Sequence, residues 1–197
     1  KKGREKIQNR SERKKISKGA YFSRLSVLHR RGFLKGLKLC MAQAINRFSI
    51  KNSEYAGSLF FHASSLERHK KGYLFIGEGG SGKSTICKIS KGVDIVHDDA
   101  TMVRKNHKNW LLFPFFDIDQ PAFSKPKKLK AIFFIKQSKK NRLQRLSLKE
   151  AFKESLQGQC RNLSQVDNPV YIYERLLDLF KDIPAYELHF RKDASFW

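Results

Sequence analysis

Gly77-Glu-Gly-Gly-Ser-Gly-Lys-Ser-Thr85 decides how the rest of the chain reads. It fits the pattern G-x-x-x-x-G-K-[ST] in full: Gly77, then Glu78, Gly79, Gly80 and Ser81, then Gly82, Lys83 and Ser84. Each residue type has a job. The glycines let successive backbone N–H groups face one anion. A helix starting near Lys83 adds its positive N-terminal end. The Lys83 ammonium can reach the β and γ phosphates of a nucleotide, and the Ser84 hydroxyl can ligate magnesium. The pattern is informative only between a strand and a helix. Both flanks are present: Tyr73-Leu-Phe-Ile76 reads as a strand, and a helix follows to about Lys91, closed by Gly92 as its C-cap. The stretch therefore predicts a P-loop, with Gly77 through Thr85 binding the cofactor ATP.

Outward from the loop, Ser58-Leu-Phe-Phe-His62 reads as a short buried strand, and the basic turn Glu67 to Gly72 suggests a hairpin with Tyr73–Ile76. Downstream, Val93-Asp-Ile-Val-His97 is a strand ending in Asp98-Asp99. In P-loop proteins an aspartate at such a strand end often holds the magnesium shell. Two adjacent carboxylates do not easily face one metal, so one is expected to organise magnesium and the other to take a proton from an attacking hydroxyl. His62 ends its strand near the same place. Neutral, it would orient Asp99; charged, it would stabilise phosphoryl charge. His97 is expected to point away from Asp98 across its strand.

Further along, Thr101–Arg104 and Trp110–Phe113 form an expected antiparallel pair, and Pro114 and Pro121 bracket a loop rich in Phe and Asp. Leu129-Lys-Ala-Ile-Phe-Phe-Ile135 is the strongest strand. Ser147-Leu-Lys-Glu150 is a capping box, which predicts a helix from Leu148 to about Gln157. A second helix is expected over Tyr171–Phe180, stopping before Pro184, and Tyr186–Phe190 is a last strand. The fold class is α/β, a mixed β-sheet with flanking helices.

The chain has 197 residues and a formal net charge of +23, which favours polyanionic partners. Residues 1–38 carry fourteen Lys and Arg against two Glu, and Lys125 to Arg145 holds no acid. Residues 1–57 therefore read as a basic, mainly helical segment, and 58–197 as the P-loop domain. Such charge also suits a nucleotide-dependent nucleic-acid-binding module. The aromatics weigh against that module, because runs such as Phe133-Phe134 read as core and not as stacking platforms. Cys40, Cys87 and Cys160 form no CxxC pair, which fits idle thiols in a reducing cytoplasm. No apolar run approaches the roughly 18 residues of a membrane span. No signal peptide is legible, and the start at Lys1 leaves the true N-terminus open.

Taken together, Phe61-His-Ala-Ser64, Gly72-Tyr-Leu-Phe-Ile-Gly77, the P-loop and His97-Asp-Asp-Ala100 resemble the HPr kinase/phosphorylase superfamily, most of all its small relatives known as HPr-kinase-like or lasso-peptide precursor kinases. Weaker matches run through Leu129–Ile135, Asn141, Leu146–Ala151, Tyr186–Phe190 and Phe196-Trp197. The resemblance implies a fold like the C-terminal domain of phosphoenolpyruvate carboxykinase. It implies ATP- and magnesium-dependent phosphoryl transfer to a serine, or a threonine, of a peptide or small protein. Free serine is the acceptor of some relatives, and some relatives are homo-oligomers. Carried over, His62, Lys83, Asp98 and Asp99 are catalytic, with Asp99 as the base, and Ser84 and Asp98 hold the metal. Where relatives show a Gly-Thr-Pro-Phe or Trp run and then Gly-Glu, this chain has Leu112-Phe-Pro-Phe-Phe-Asp117-Ile-Asp119. Asp117 or Asp119 replaces the relatives' acid as a metal ligand, or that contact is lost. The basic stretches would steer an acidic peptide substrate.

Overall fold

The structure, a computed structural model, describes residues 40, 44, 45, 48, 57–114, 125–157, 160 and 169–197. The chain divides after Ala44, and the fold below belongs to Ile45–Trp197. The expected basic segment 1–57 and the candidate ligands Asp117 and Asp119 lie outside the described residues, save for a few positions of the former.

The described elements run β1 (Ser58–Phe61), β2 (Ala63–Arg68), β3 (Lys71–Ile76), α1 (Lys83–Ile89), β4 (Asp94–His97), β5 (Thr101–Asn106), β6 (Asn109–Pro114), β7 (Lys127–Gln137), β8 (Arg142–Arg145), α2 (Leu148–Ser155), α3 (Val170–Asp182) and β9 (Ala185–Phe190). A short 3-10 turn, Ala194–Phe196, follows. The architecture is mixed α/β, with a mostly antiparallel sheet and flanking helices. Among the described residues only β3 with β7 and β7 with β9 pair in parallel.

Strand β7 organises the sheet. Its apolar run is buried on both faces, as a central strand with parallel neighbours requires. It continues β4-β2-β3 on one side and β9-β8 on the other, while its first residues, Lys127 and Lys128, pair with β6 and lead on to β5 and β1. Alternation sorts the side chains to two cores. Leu74, Ile76, Ile132 and Phe134 face α3, whose Ile172, Leu176 and Leu179 form an i, i+4, i+7 stripe with no exposed surface. Phe75 and Ile135 face the other way, onto Ile86 and Cys87 of α1.

The helix ends follow from local chemistry. The capping box of α2 is formed: Glu150 N–H donates to Ser147 Oγ at 3.3 Å, and Ser147 N–H donates to Glu150 Oε2 at 2.7 Å. Helix α3 stops at Ile183, whose extended backbone (φ −116°, ψ 123°) is what a residue before proline adopts.

Two expectations need correction, and one strand was not foreseen. Strand β3 forms its hairpin with Ala63–Arg68, while Ser58–Phe61 pairs with β5 instead. Ala-Ser-Ser in the first half of β2 hid it, since small polar residues carry no apolar signal, yet Ser64 and Ser65 are fully buried. Helix α1 ends at Ile89, before Lys91 and Gly92. Strand β8, Arg-Leu-Gln-Arg at the sheet edge, has no buried residue and so shows no alternation to read.

Candidate active site at one end of the sheet

Register brings the candidate residues together. Ala63 of β2 pairs with Ile76 of β3, and Ser65 of β2 pairs with His97 of β4. His62, Gly77 and Asp98 therefore all leave the sheet at the same end, from three adjacent strands. Parallel pairing of β3 with β7 places Gln137 at that end as well.

The loop from Gly77 to Gly82 is held from within. Ser81 N–H donates to Glu78 O at 3.1 Å. Lys83 is 7% exposed, and its Nζ donates to Gly77 O at 2.7 Å and to Glu78 O at 3.0 Å. The ammonium is thus folded under the loop it would serve, with the carbonyls carrying part of its desolvation cost. Ser64 Oγ donates to Lys83 O at 3.4 Å and ties β2 to the start of α1. Ser84, the next residue, is exposed.

Two glycines separate what the fold needs from what a ligand would need. At Gly82, φ is +107°, and a Cβ would lie 2.5 Å from Phe190 Cζ, so the fold itself demands glycine. At Gly79 the backbone is not left-handed, and a Cβ would meet nothing within 4 Å. The fold gives no reason for glycine there, whereas close approach of a ligand to the backbone does. Beside the loop lies a cleft of about 490 Å³, lined by Gly77 to Ser81, the end of β7 at Phe134 to Gln137, and Glu154 and Gln157 of the α2 region.

The structure brings His62 and Asp99 into contact. His62 Nδ1 lies 3.1 Å from Asp99 Oδ1 and 3.1 Å from Asp99 O. Ala63 N–H also donates to Asp99 O at 3.1 Å, so the β1–β2 junction grips this residue through its backbone. The Asp99 side chain is mostly exposed, as a base facing an incoming substrate would be. Asp98 is half-buried. The Cys87 thiol of α1 is pushed up to about 11, first by burial, while a hydrogen bond from Ser64 pulls it down and the Asp98 charge adds to the rise. Of the two aspartates, Asp99 is the one that meets His62.

His97 has a role the sequence did not disclose. It is 5% exposed, and its Nδ1 accepts from Asp99 N–H at 3.1 Å and from Ala100 N–H at 3.0 Å. Acceptance at Nδ1 assigns the ring proton to Nε2. His97 therefore shapes the turn that presents both aspartates. Thr101 supports the same turn through Ser65 Oγ at 2.8 Å and Ala63 O at 3.3 Å.

Gln137 was also missed. Its Nε2 donates to Gly80 O at 2.6 Å, latching the tip of the loop to the end of β7. Next to it, Lys136 pairs with Glu187, which also meets His189 at 2.6 Å. The Lys136 ammonium, then His189, holds the Glu187 carboxyl below the usual range against the effect of burial. The Gln137 and Lys136 contacts span 57 and 51 residues and leave no local signature.

Among the described residues no three His, Cys, Asp or Glu side chains converge as a metal-binding group. Magnesium bound with a nucleotide does not need one, since it takes most of its ligands from phosphate and water. A serine hydroxyl and one carboxylate are the expected protein share, and Ser84 and Asp98 fit it chemically.

No family model and no curated protein matches the chain. Among solved structures, the Hpr(Ser) kinase/phosphatase from Coxiella burnetii is similar at 13% identity, over 67% of this chain and 85% of that one, with a TM-score of 0.35. A likeness of that size leaves the reading of the site to the residues themselves.

Proposed function

We propose that this chain is a magnesium- and ATP-dependent kinase that phosphorylates a serine or threonine hydroxyl on a peptide or small protein. One observation carries the reading. A glycine loop with a lysine folded beneath it and a His62–Asp99 pair leave the same end of the sheet on adjacent strands. The first is phosphate-binding chemistry and the second is proton-transfer chemistry, and kinases need both.

In this reading the nucleotide with its magnesium supplies the transferable phosphoryl group and an electrophilic phosphorus. The residues do the rest. The backbone N–H groups of Glu78 to Lys83 and the N-terminus of α1 present partial positive charge to the phosphates. The Lys83 ammonium adds a full charge. Ser84 and Asp98 would hold the metal. Asp99 accepts the proton of the acceptor hydroxyl as that oxygen bonds the γ-phosphorus and the bond to the leaving nucleoside diphosphate breaks, and His62 fixes the orientation of that carboxylate. Gln137 keeps the loop tip in place.

The test is phosphate transfer itself. Serine-containing peptides incubated with ATP and magnesium should gain a phosphoryl group by mass spectrometry. Asp99→Asn should lower turnover by about 100-fold or more while leaving nucleotide affinity within about twofold. Undiminished transfer by Asp99→Asn would sink the assignment of the base. Transfer to no hydroxyl peptide, with nucleotide still bound, would sink the kinase reading.

A further inference from the structure

The sheet face on the α1 side carries a second recessed surface, away from the loop. Tyr73, Phe75, Phe133 and Leu188 form its floor, Leu143 of β8 one wall, and Phe196 and Trp197 another, around a volume of about 410 Å³. Leu143 is 56% exposed, a large apolar side chain turned to solvent at the rim of an apolar hollow. Arg68 and His69 complete the lining, and no acid belongs to it. The Arg68 guanidinium lies 4.9 Å over the Trp197 ring. The rim is therefore basic and its floor aromatic.

We infer that this groove docks an extended acidic peptide, with one bulky apolar side chain in the hollow and carboxylates against Arg68 and His69. Three observations select that occupant. First, sign: the chain's own residues 1–38 hold fourteen Lys and Arg against two Glu, and a second copy brings another +23, so both are repelled by a basic rim. Second, the rings stand on edge. Phe75 and Phe133 are cross-strand partners whose rings stack at 5.1 Å and 19°, and Phe133 and Tyr186 are partners stacked at 5.6 Å and 24°. These distances are close to the strand spacing, so Phe133 is stacked on both faces and Phe75 on one, while Arg68 lies over the Trp197 ring. Bases need open ring faces, whereas an aliphatic or aromatic side chain packs on ring edges. Third, the turn that sets the rim is strained. His69 and Lys70 have φ of 50° and 59°, where Asn-Gly is preferred. The chain keeps two basic, non-glycine residues at left-handed positions beside the groove, which is where strain accumulates at binding sites.

The inference stands independently of the kinase reading, because no residue of the loop or of the His62–Asp99 pair lines the groove. Its test uses the full chain and a fluorescein-labelled synthetic peptide of about eight residues, acidic throughout except for a central Leu. Anisotropy should report saturable binding that weakens with salt. Replacing the central Leu of the peptide by Ala should weaken it about tenfold. Leu143→Asp, at an exposed position that leaves folding intact by circular dichroism, and Arg68→Glu should each weaken it at least tenfold. Equal binding by the Ala peptide, or by both protein variants, overturns the proposal. So does better competition from a single-stranded oligonucleotide or from a peptide of residues 1–38, and so does self-association that Leu143→Asp abolishes.

Discussion

Replacing Gly82 by alanine separates the demands of the fold on the Gly77–Ser84 loop from those of the proposed ligand. Two costs are visible in the structure. The first is backbone: φ at Gly82 is +107°, and a left-handed backbone costs a side-chain-bearing residue about 1–2 kcal/mol. The second is space: the new Cβ would fall 2.5 Å from Phe190 Cζ, and Phe190 is fully buried among Phe75, Ile86 and Ile135. Overpacking a filled core costs about 1–3 kcal/mol. The sum is about 2–5 kcal/mol, or about 4–20 °C in Tm for a chain of this size. Urea unfolding followed by tryptophan fluorescence measures it, read from the midpoint at constant slope. The double variant Gly82→Ala/Phe190→Leu should recover the packing part and leave the backbone part. Against the Phe190→Leu background, Gly82→Ala should cost only about 1–2 kcal/mol. Gly79→Ala is the contrast. It should change stability by less than about 0.5 kcal/mol, yet weaken MgATP binding at least tenfold. If Gly82→Ala is as stable as the parent, or if Gly79→Ala binds MgATP undiminished, the division of the two glycines between fold and ligand is wrong.

Two further predictions concern stability. Asp182 Oδ2 accepts from Lys105 Nζ at 2.7 Å and from the buried Trp110 Nε1 at 2.9 Å, and these bonds, Lys105 first, hold its carboxyl below the usual 3.8. A depressed carboxylate stabilises the fold above its unfolded pKa, and that contribution is lost as pH falls through the lower folded value. The gap in urea midpoint between wild type and Asp182→Asn should therefore close as pH falls below 3.8, and a gap that widens would refute the assignment. Lys70→Gly should relieve the left-handed position in the β2–β3 turn and add about 0.5–1 kcal/mol, with Tm rising by about 1–4 °C; a fall in Tm would mean that φ of 59° carries no strain.

Much of the architecture was legible because it rests on local signals. The apolar run Leu129–Ile135 announced a strand buried on both faces, Ser147 and Glu150 announced a helix start, and Pro184 announced its neighbour's end. What escaped has a common cause. Ser64 and Ser65 are buried through partners such as Thr101 and Lys83 that are far off in sequence, so β2 looked like loop. Arg142–Arg145 lies on an edge with no buried face. The same division holds at the site. Gly77 to Ser84, His62 and Asp98-Asp99 could be named as candidates because the glycine loop has a fixed local spacing and the others sit at the ends of legible strands. Gln137 and the supporting role of His97 could not, because each depends on pairing register. Phe133 and Phe134 show the limit plainly. Adjacent in sequence and read alike as core, they face opposite ways: Phe134 is buried toward α3, and Phe133 is half-buried on the groove side.

The central claim is that Gly77 to Ser84 holds nucleotide phosphates, with Lys83 supplying the charge. Lys83 Nζ is 2.7 Å from Gly77 O, so Lys83→Met keeps the stem and removes only the ammonium. Isothermal titration of wild type and Lys83→Met with ATP and magnesium tests the claim most directly. The account predicts saturable one-to-one binding by wild type, and at least tenfold weaker binding by Lys83→Met with its fold intact. Equal affinity in the two proteins, or no binding by wild type, would contradict it.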